Sequence, residues 1–356
     1  MENSTSNNKS GRKVLFLIIL FSLLLLCALC FLCTAAFYSA GMDTDLSTLS
    51  TTSNLDLVYA GGDSSSENKL LVVPIQGVIL NEKPDDILAL LSVDVTYGYE
   101  VKNILAEAAA DSSIKGVLLA IDSPGGTITG SKAISDGVAN YIEQTGNPVV
   151  AHIMGTGASG GYWSAAAADY IIADSGSLVG SIGVIFGPFK YYNEVTSESS
   201  QGESVAASSI DTYYITSGEL KDFGNPYRMM TEEEMEILQE DTDSAYNEFV
   251  KYISERRGIP ESTIKNQIKA LPYGNERALS LKLIDANGPR ESAYEYLSSQ
   301  ASFGSDYQLV KVFEEVSFWD LFLGATNAVE PMEASTFIEG QLHNKLLYLY
   351  GSPSAY

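Results

Sequence analysis

The sequence predicts an α/β fold with a parallel sheet, preceded by one N-terminal transmembrane helix. Three observations lead there. From Lys69 onward, β-branched apolar runs alternate with helical periodicities, and strand–helix–strand order requires crossovers between parallel strands. Two successive strands end in Gly-rich turns, after Ile121 and after Met154, each leading into a helix. Ahead of all this, Val14 to Tyr38 runs 25 residues without a charge.

That apolar run comes first in the chain. As a helix it measures about 37 Å at about 1.5 Å per residue. A hydrocarbon core is about 30 Å thick, so it spans with some tilt. Lys9, Arg12 and Lys13 precede it, which keeps residues 1–13 cytoplasmic and sends the body outside. A cleaved signal peptide would have an apolar region of only about 7–15 residues. Cys27, Cys30 and Cys33 all lie within the run. With no ligand-type residue beside them, they read as lipid-facing or packing residues, and no metal or cofactor is expected. Residues 41–66 are rich in Ser, Thr, Asp and Gly and read as a flexible stalk.

Residues 67–300 carry the folded pattern. Leu70–Leu80 is a strand interrupted by Pro74 and Gly77. Tyr99–Ala110 is a helix with Val101, Leu105 and Ala108 on one face. Gly116–Ile121 is a buried strand closed by Asp122-Ser123-Pro124-Gly125-Gly126, and Ile128–Ile142 is a second helix. Pro148–Met154 is a third strand, and a helix starts near Ser159 and runs through Ala165 to Ala168. Tyr170–Ala173 and Ile182–Phe186 are short strands. Tyr191–Thr212 is acidic and Ser-rich. Thr231 and Glu234 form a capping box for a helix reaching Gly258, with Met235, Leu238, Thr242, Ala245, Phe249 and Tyr252 as its buried stripe. Residues 301–356 are an extension with no role assignable from pattern.

The charge excludes some functions. With 45 acidic against 21 basic side chains the net charge is −24. Nucleic-acid binding needs clustered Lys and Arg, so no nucleic-acid partner is expected.

Parallel strands place both Gly-rich turns at one edge of the sheet, where α/β proteins keep their sites. In Gly157-Ala158-Ser159-Gly160-Gly161 a serine stands at a strand-to-helix turn, and its glycines let a substrate backbone approach. A tight turn without chemistry fits the same residues. A serine nucleophile needs a base, and the chain has two histidines, His152 and His343. His343 is the one placed for an α/β-hydrolase order, while His152 falls within a strand and reads as core. A neutral lysine can replace histidine. Lys221, in Ser217-Gly218-Glu219-Leu220-Lys221-Asp222, is a candidate, although Asp222 beside it favours the charged form. Alone, it reads as a surface lysine. Ser181, in Gly180-Ser181-Ile182-Gly183, is a hydrogen-bond partner for a neutral amine or a plain turn serine.

Taken in order, Asp122-Ser123-Pro124-Gly125-Gly126, Ala158-Ser159-Gly160-Gly161-Tyr162-Trp163, Gly180-Ser181-Ile182-Gly183-Val184 and Ser217-Gly218-Glu219-Leu220-Lys221-Asp222 resemble the signal peptide peptidase A family. The resemblance covers roughly residues 69–300 and is closer to its short, single-core form. It implies a ClpP/crotonase-like fold of repeated β-β-α units and a membrane-bound Ser–Lys endopeptidase acting on signal-peptide remnants. By motif, it implies Ser159 as nucleophile, Lys221 as general base and Ser181 as the residue orienting the lysine. It places the oxyanion hole at the N–H groups of Gly126 and Gly160, and it implies a homo-oligomeric ring. Two alternatives stand beside it: a non-catalytic membrane scaffold, and an α/β-hydrolase using His343.

Overall fold

The computed structural model describes residues 55–83, 95–189, 191, 197–198, 204–205, 215–313 and 347–349. The first part of the chain contributes β1 (Leu57–Gly62), β2 (Lys69–Leu80), β3 (Val95–Tyr97), α1 (Gly98–Ala110), β4 (Ile114–Thr127), α2 (Ile128–Thr145), β5 (Val149–Ala158) and α3 (Gly160–Ala165). There follow β6 (Tyr170–Ala173), β7 (Leu178–Gly180), the short hairpin β8 (Ser197–Glu198) and β9 (Ser204–Val205), and the long helix α4 (Glu232–Arg257). The remainder holds α5 (Glu261–Thr263), continued by a π-helical turn over Ile264–Ile268, then β10 (Pro272–Gly274), α6 (Asn275–Ser280), β11 (Ala286–Asn287), α7 (Arg290–Gln300), β12 (Gln308–Val312) and β13 (Leu347–Leu349).

The result is a mixed α/β sheet in the order β1-β12-β2-β4-β5-β6-β11. Neighbours from β12 to β11 run parallel, and β1 closes one edge antiparallel to β12. Both faces are covered, which is why β2, β4 and β5 read as near-continuous apolar runs and do not alternate. One face packs α1, through Val101, Leu105 and Ala108, together with α2 and the C-terminal half of α4. The other is covered by α7, whose Ala293 and Leu297 meet Leu70, Leu118, Val150, Ile172 and Leu309. Gly98 and Gly130 let α1 and α2 touch backbone to backbone: a Cβ on Gly98 would lie 2.1 Å from the Gly130 carbonyl oxygen.

The sheet forks at the edge that matters most. β5 pairs with β6 over Val150–Ile153, then with β7 over Thr156–Ala158. β4 parts from β5 after Ser123 meets Gly157, and its last residues, Gly125–Thr127, pair antiparallel with β13.

Several expectations change. Asp122-Ser123-Pro124-Gly125-Gly126 does not close β4, which continues through it to Thr127. The bulge at Gly77 (φ 63°) is matched by a register shift between Gln76 and Val78, Ser123 Oγ donates to the Gly77 carbonyl at 2.6 Å, and Val78 and Ile79 then pair with Gly125 and Gly126. The strand expected at Ile182–Phe186 is mostly irregular, and the short strand lies just before it as β7. The segment read as stalk ends in β1, and β12 extends the folded unit past residue 300. Val14–Tyr38 lies outside the described residues. Among those described, no helix is long and apolar enough to cross a membrane.

Candidate active site

The fork positions a serine. Ser159 follows the last residue of β5 and N-caps α3 at φ 54°, ψ −117°. This conformation is uncommon for a residue with a Cβ, and local geometry enforces it. Its N–H donates to the Gly180 carbonyl at 2.7 Å, and its carbonyl accepts from Trp163 N–H at 2.8 Å. The helix behind it is locked down. Gly161 approaches β4 so closely that a Cβ would sit 2.6 Å from the Ser123 carbonyl oxygen. Trp163 donates through Nε1 to Ser135 Oγ at 2.9 Å and stacks on Tyr252 at 4.2 Å between centroids. Tyr162 donates its hydroxyl to the Leu283 carbonyl at 2.7 Å. Arg256 donates to the carbonyls of Ala166 and Ala167, at the C-terminal end of α3. Tyr162 and Trp163 thus belong to the core that holds the serine. Ser159 itself is fully buried, and its Oγ has no hydrogen-bond partner.

Three further expected site residues share this edge. Gly160 is the first residue of α3, where helical N–H groups have no intrahelical acceptor. Ser181 directly follows Gly180, the residue that receives the Ser159 N–H; it is buried, at φ 53°, and its N–H donates to the Leu271 carbonyl at 3.0 Å. Gly126 is opposite Ile79 in β2 and opposite Tyr348 in β13. A Cβ on Gly126 would lie 2.0 Å from the Ile79 carbonyl oxygen, so only glycine fits. β13 also lies against α2 and α3. The edge next to Ser159 therefore already carries an added antiparallel strand from this chain's own C-terminal region.

Lys221 is placed elsewhere. It is exposed, on a turn ahead of α4, and does not hydrogen-bond Ser159 Oγ. That turn is fastened by Arg228, which pairs with Asp222 through Nε–Oδ2 at 2.9 Å and Nη2–Oδ1 at 2.7 Å. The same guanidinium pairs with Glu234 through Nη1–Oε2 at 2.8 Å and Nη2–Oε1 at 2.6 Å. Glu234 is the buried N3 residue of the α4 capping box, taking the Thr231 N–H at 2.8 Å. Arg228 holds both carboxyls down to about 2. The Arg228 clamp was not legible beforehand; the capping box announced Glu234, but nothing in the spacing announced its second partner. At about 1.5 Å per residue, Glu234 stands about 22 Å along α4 from Phe249, the residue that meets Trp163. α4 thus holds the Arg228 clamp at its N-terminal turn and the Trp163 contact in its C-terminal half.

His152 is fully buried in β5, with Nε2 3.3 Å from the Gly288 carbonyl oxygen and Nδ1 unpartnered; burial lowers its pKa. His343 lies outside the described residues. Among the described residues no group of three or more His, Cys, Asp or Glu side chains is arranged to hold a metal ion.

Residues 142–303 match the model of peptidase family S49. A protein of Methanocaldococcus jannaschii named as a protease is 34% identical over 200 residues, covering 56% of this chain and 60% of that one. A protein of Enterococcus faecium named as a signal peptide peptidase, SppA, is 29% identical over 241 residues, covering 67% and 65%. Protease 4 of Haemophilus influenzae is 27% identical over 221 residues, covering 62% and 33%. The chain therefore spans less than two thirds of each of these relatives.

Proposed function

Since residues 142–303 match the model of peptidase family S49, we propose that the chain is a serine endopeptidase of that family whose nucleophile is Ser159. One observation carries the reading. A buried serine hydroxyl without a partner sits on a strained strand-to-helix turn, beside a sheet edge that carries β13 as an added antiparallel strand. A peptide docked on Gly125–Thr127 runs its backbone past Ser159, the mode of β-strand addition. The N–H groups of Gly126 and Gly160 then serve the oxyanion, and the reaction proceeds through an acyl-enzyme.

The finer reading follows the resemblance. Lys221 is the general base, oriented by Ser181, on a ClpP/crotonase-like fold. Because Lys221 is exposed and fastened at the far end of α4, the dyad is closed by a neighbouring copy in a homo-oligomer. Val14–Tyr38 anchors the chain in the cell membrane, with residues 1–13 cytoplasmic and the catalytic domain outside. That placement, and the relative in Enterococcus faecium named as a signal peptide peptidase, support signal-peptide remnants as substrates.

The test is an assay of the full chain in detergent on an apolar fluorogenic peptide, with and without Ser159→Ala, alongside labelling by a fluorophosphonate. Loss of both signals in a folded variant is expected. Retained labelling at another residue would assign the nucleophile elsewhere, and His343→Ala would then be the variant that decides for the hydrolase alternative.

A further inference from the structure

We propose that Arg228 is a positioning residue for Lys221: its guanidinium fixes the lysine turn to α4 and occupies the carboxylate that would otherwise bind the lysine's ammonium. The inference rests on Lys221 being the base. Besides that clamp, Phe189 lies beside Gly224, and Asn225 donates to Asp222 Oδ2 at 3.5 Å and takes the Tyr227 N–H at 3.0 Å. The turn's described backbone bonds are single i to i+3 contacts, Lys221 N–H to Gly218 at 3.4 Å, Phe223 N–H to Leu220 at 3.1 Å and Asn225 N–H to Asp222 at 3.1 Å. Leu220 in it is strained, at φ 60°, a left-handed conformation uncommon for a residue with a Cβ. A conformation of that kind persists only where surrounding groups over-determine it.

Arg228 is the group that does so. Its five N–H protons make five bonds: two to Asp222, two to Glu234 and one to the Met229 carbonyl at 3.1 Å. The anchor end is rigid, since the Glu234 side chain is 1% exposed and is built into the first turn of α4. Asp222 at the other end is the immediate neighbour of Lys221. A planar fork is needed to hold two carboxylates at once, and a lysine cannot supply it. From residue 219 to 234 the charged side chains are Glu219, Lys221, Asp222, Arg228, Glu232, Glu233 and Glu234, so along this stretch Arg228 is the cation besides Lys221 itself.

The experiment measures kcat/KM against pH for the full chain in detergent on an apolar fluorogenic peptide, with Lys221→Ala as the control. In Arg228→Ala the freed Asp222 carboxylate stabilises the lysine's charged form. The rate-controlling ionisation then moves up by about one pH unit. Adding Asp222→Asn to that variant returns the ionisation to its original position, although kcat stays reduced because the turn is loose. Arg228→Lys keeps a charge beside Asp222 and loses the fork: the ionisation stays in place and kcat falls. A role confined to stability predicts a lowered melting temperature with an unmoved ionisation in all three, and that outcome overturns the proposal. Arg228→Lys, with both carboxylates still facing a cation, keeps the question answerable if Arg228→Ala does not fold; unchanged kcat in it also overturns the proposal. An active Lys221→Ala variant defeats the dyad reading itself, and the positioning role falls with it.

Discussion

Ser159 differs from every other fully buried serine with a described partner. Ser123, Ser131, Ser164, Ser177 and Ser298 donate to the carbonyls of Gly77, Thr127, Gly160, Ile153 and Gly304, whereas Ser159 Oγ bonds nothing. Leaving a buried hydroxyl unpaired costs about 1–3 kcal/mol. Ser159→Ala is therefore expected to melt at the same temperature as the parent or higher, while peptidase activity falls by at least about 10³-fold. A thermal melt beside a rate measurement checks both halves; a large drop in melting temperature would make the serine structural. His152 yields a pH prediction. Its folded pKa is lowered by burial, so below about pH 6.5 the unfolded chain binds a proton that the folded chain does not. Stability then falls as pH drops from 7 to 5, and His152→Gln should flatten that slope in melts at the two pH values. Asp222 and Glu234, held down to about 2, lose their contribution in a lower window, as pH falls from about 4 toward 2. At this scale Ser159 was legible because glycines flank it in a pattern with a steric meaning. Lys221 was legible by resemblance alone, and Arg228 was not legible at all, because its partners are set by how a turn lies on a helix.

Periodicity located α4 and its caps, Thr231 and Gly258, without saying what would cover the helix. Of the expected stripe, Phe249 is fully buried, whereas Met235 is 50% exposed; the buried apolar residues are Phe249, Val250 and Ile253, all in the C-terminal half. A hydrophobic period reports a face, and the neighbour that meets it is tertiary information. Phe249→Ala should cost about 3–5 kcal/mol, and Met235→Ala should stay within about 0.5 kcal/mol in the isolated chain. Denaturant unfolding of the two variants gives the comparison; equal losses would mean that the N-terminal half of α4 is packed after all. The continuation of β4 through Pro-Gly-Gly was hidden for a related reason. Those residues signal a turn locally, yet here Gly126 is required by the backbone of β2 at its side. The same edge makes β13 a competitor for peptide. A chain ending at residue 313 should show a lower KM with an unchanged kcat, since the strand seated on Gly125–Thr127 is gone. An unaltered KM would separate β13 from the substrate path.

On the scale of the whole molecule, α4 carries the anchors of both proposed catalytic elements. Trp163 fixes the serine helix to the C-terminal half of α4, through Phe249 and Tyr252. Arg228 fixes the lysine turn to Glu234, about 22 Å earlier on the same helix. α4 is continuous between these two anchors, which keeps them apart. Phe223, Tyr227, Met229 and Met235 are exposed in and after the lysine turn, and in the proposed oligomer they are the apolar surface a second copy would cover. The net charge of −24 opposes association of identical chains, so assembly should strengthen as salt screens it. Mixing two dead variants tests the arrangement. Ser159→Ala supplies intact lysines, and Lys221→Ala supplies intact serines. In a randomly mixed ring, where each site takes its serine from one copy and its lysine from the next, about one quarter of the sites regain both groups. The two purified full-length variants, co-assembled in detergent after dissociation at low salt, should therefore recover about a quarter of the parent activity, and neither should show any alone. Mixed rings that size as the parent assembly but stay inactive would place both dyad members in one chain.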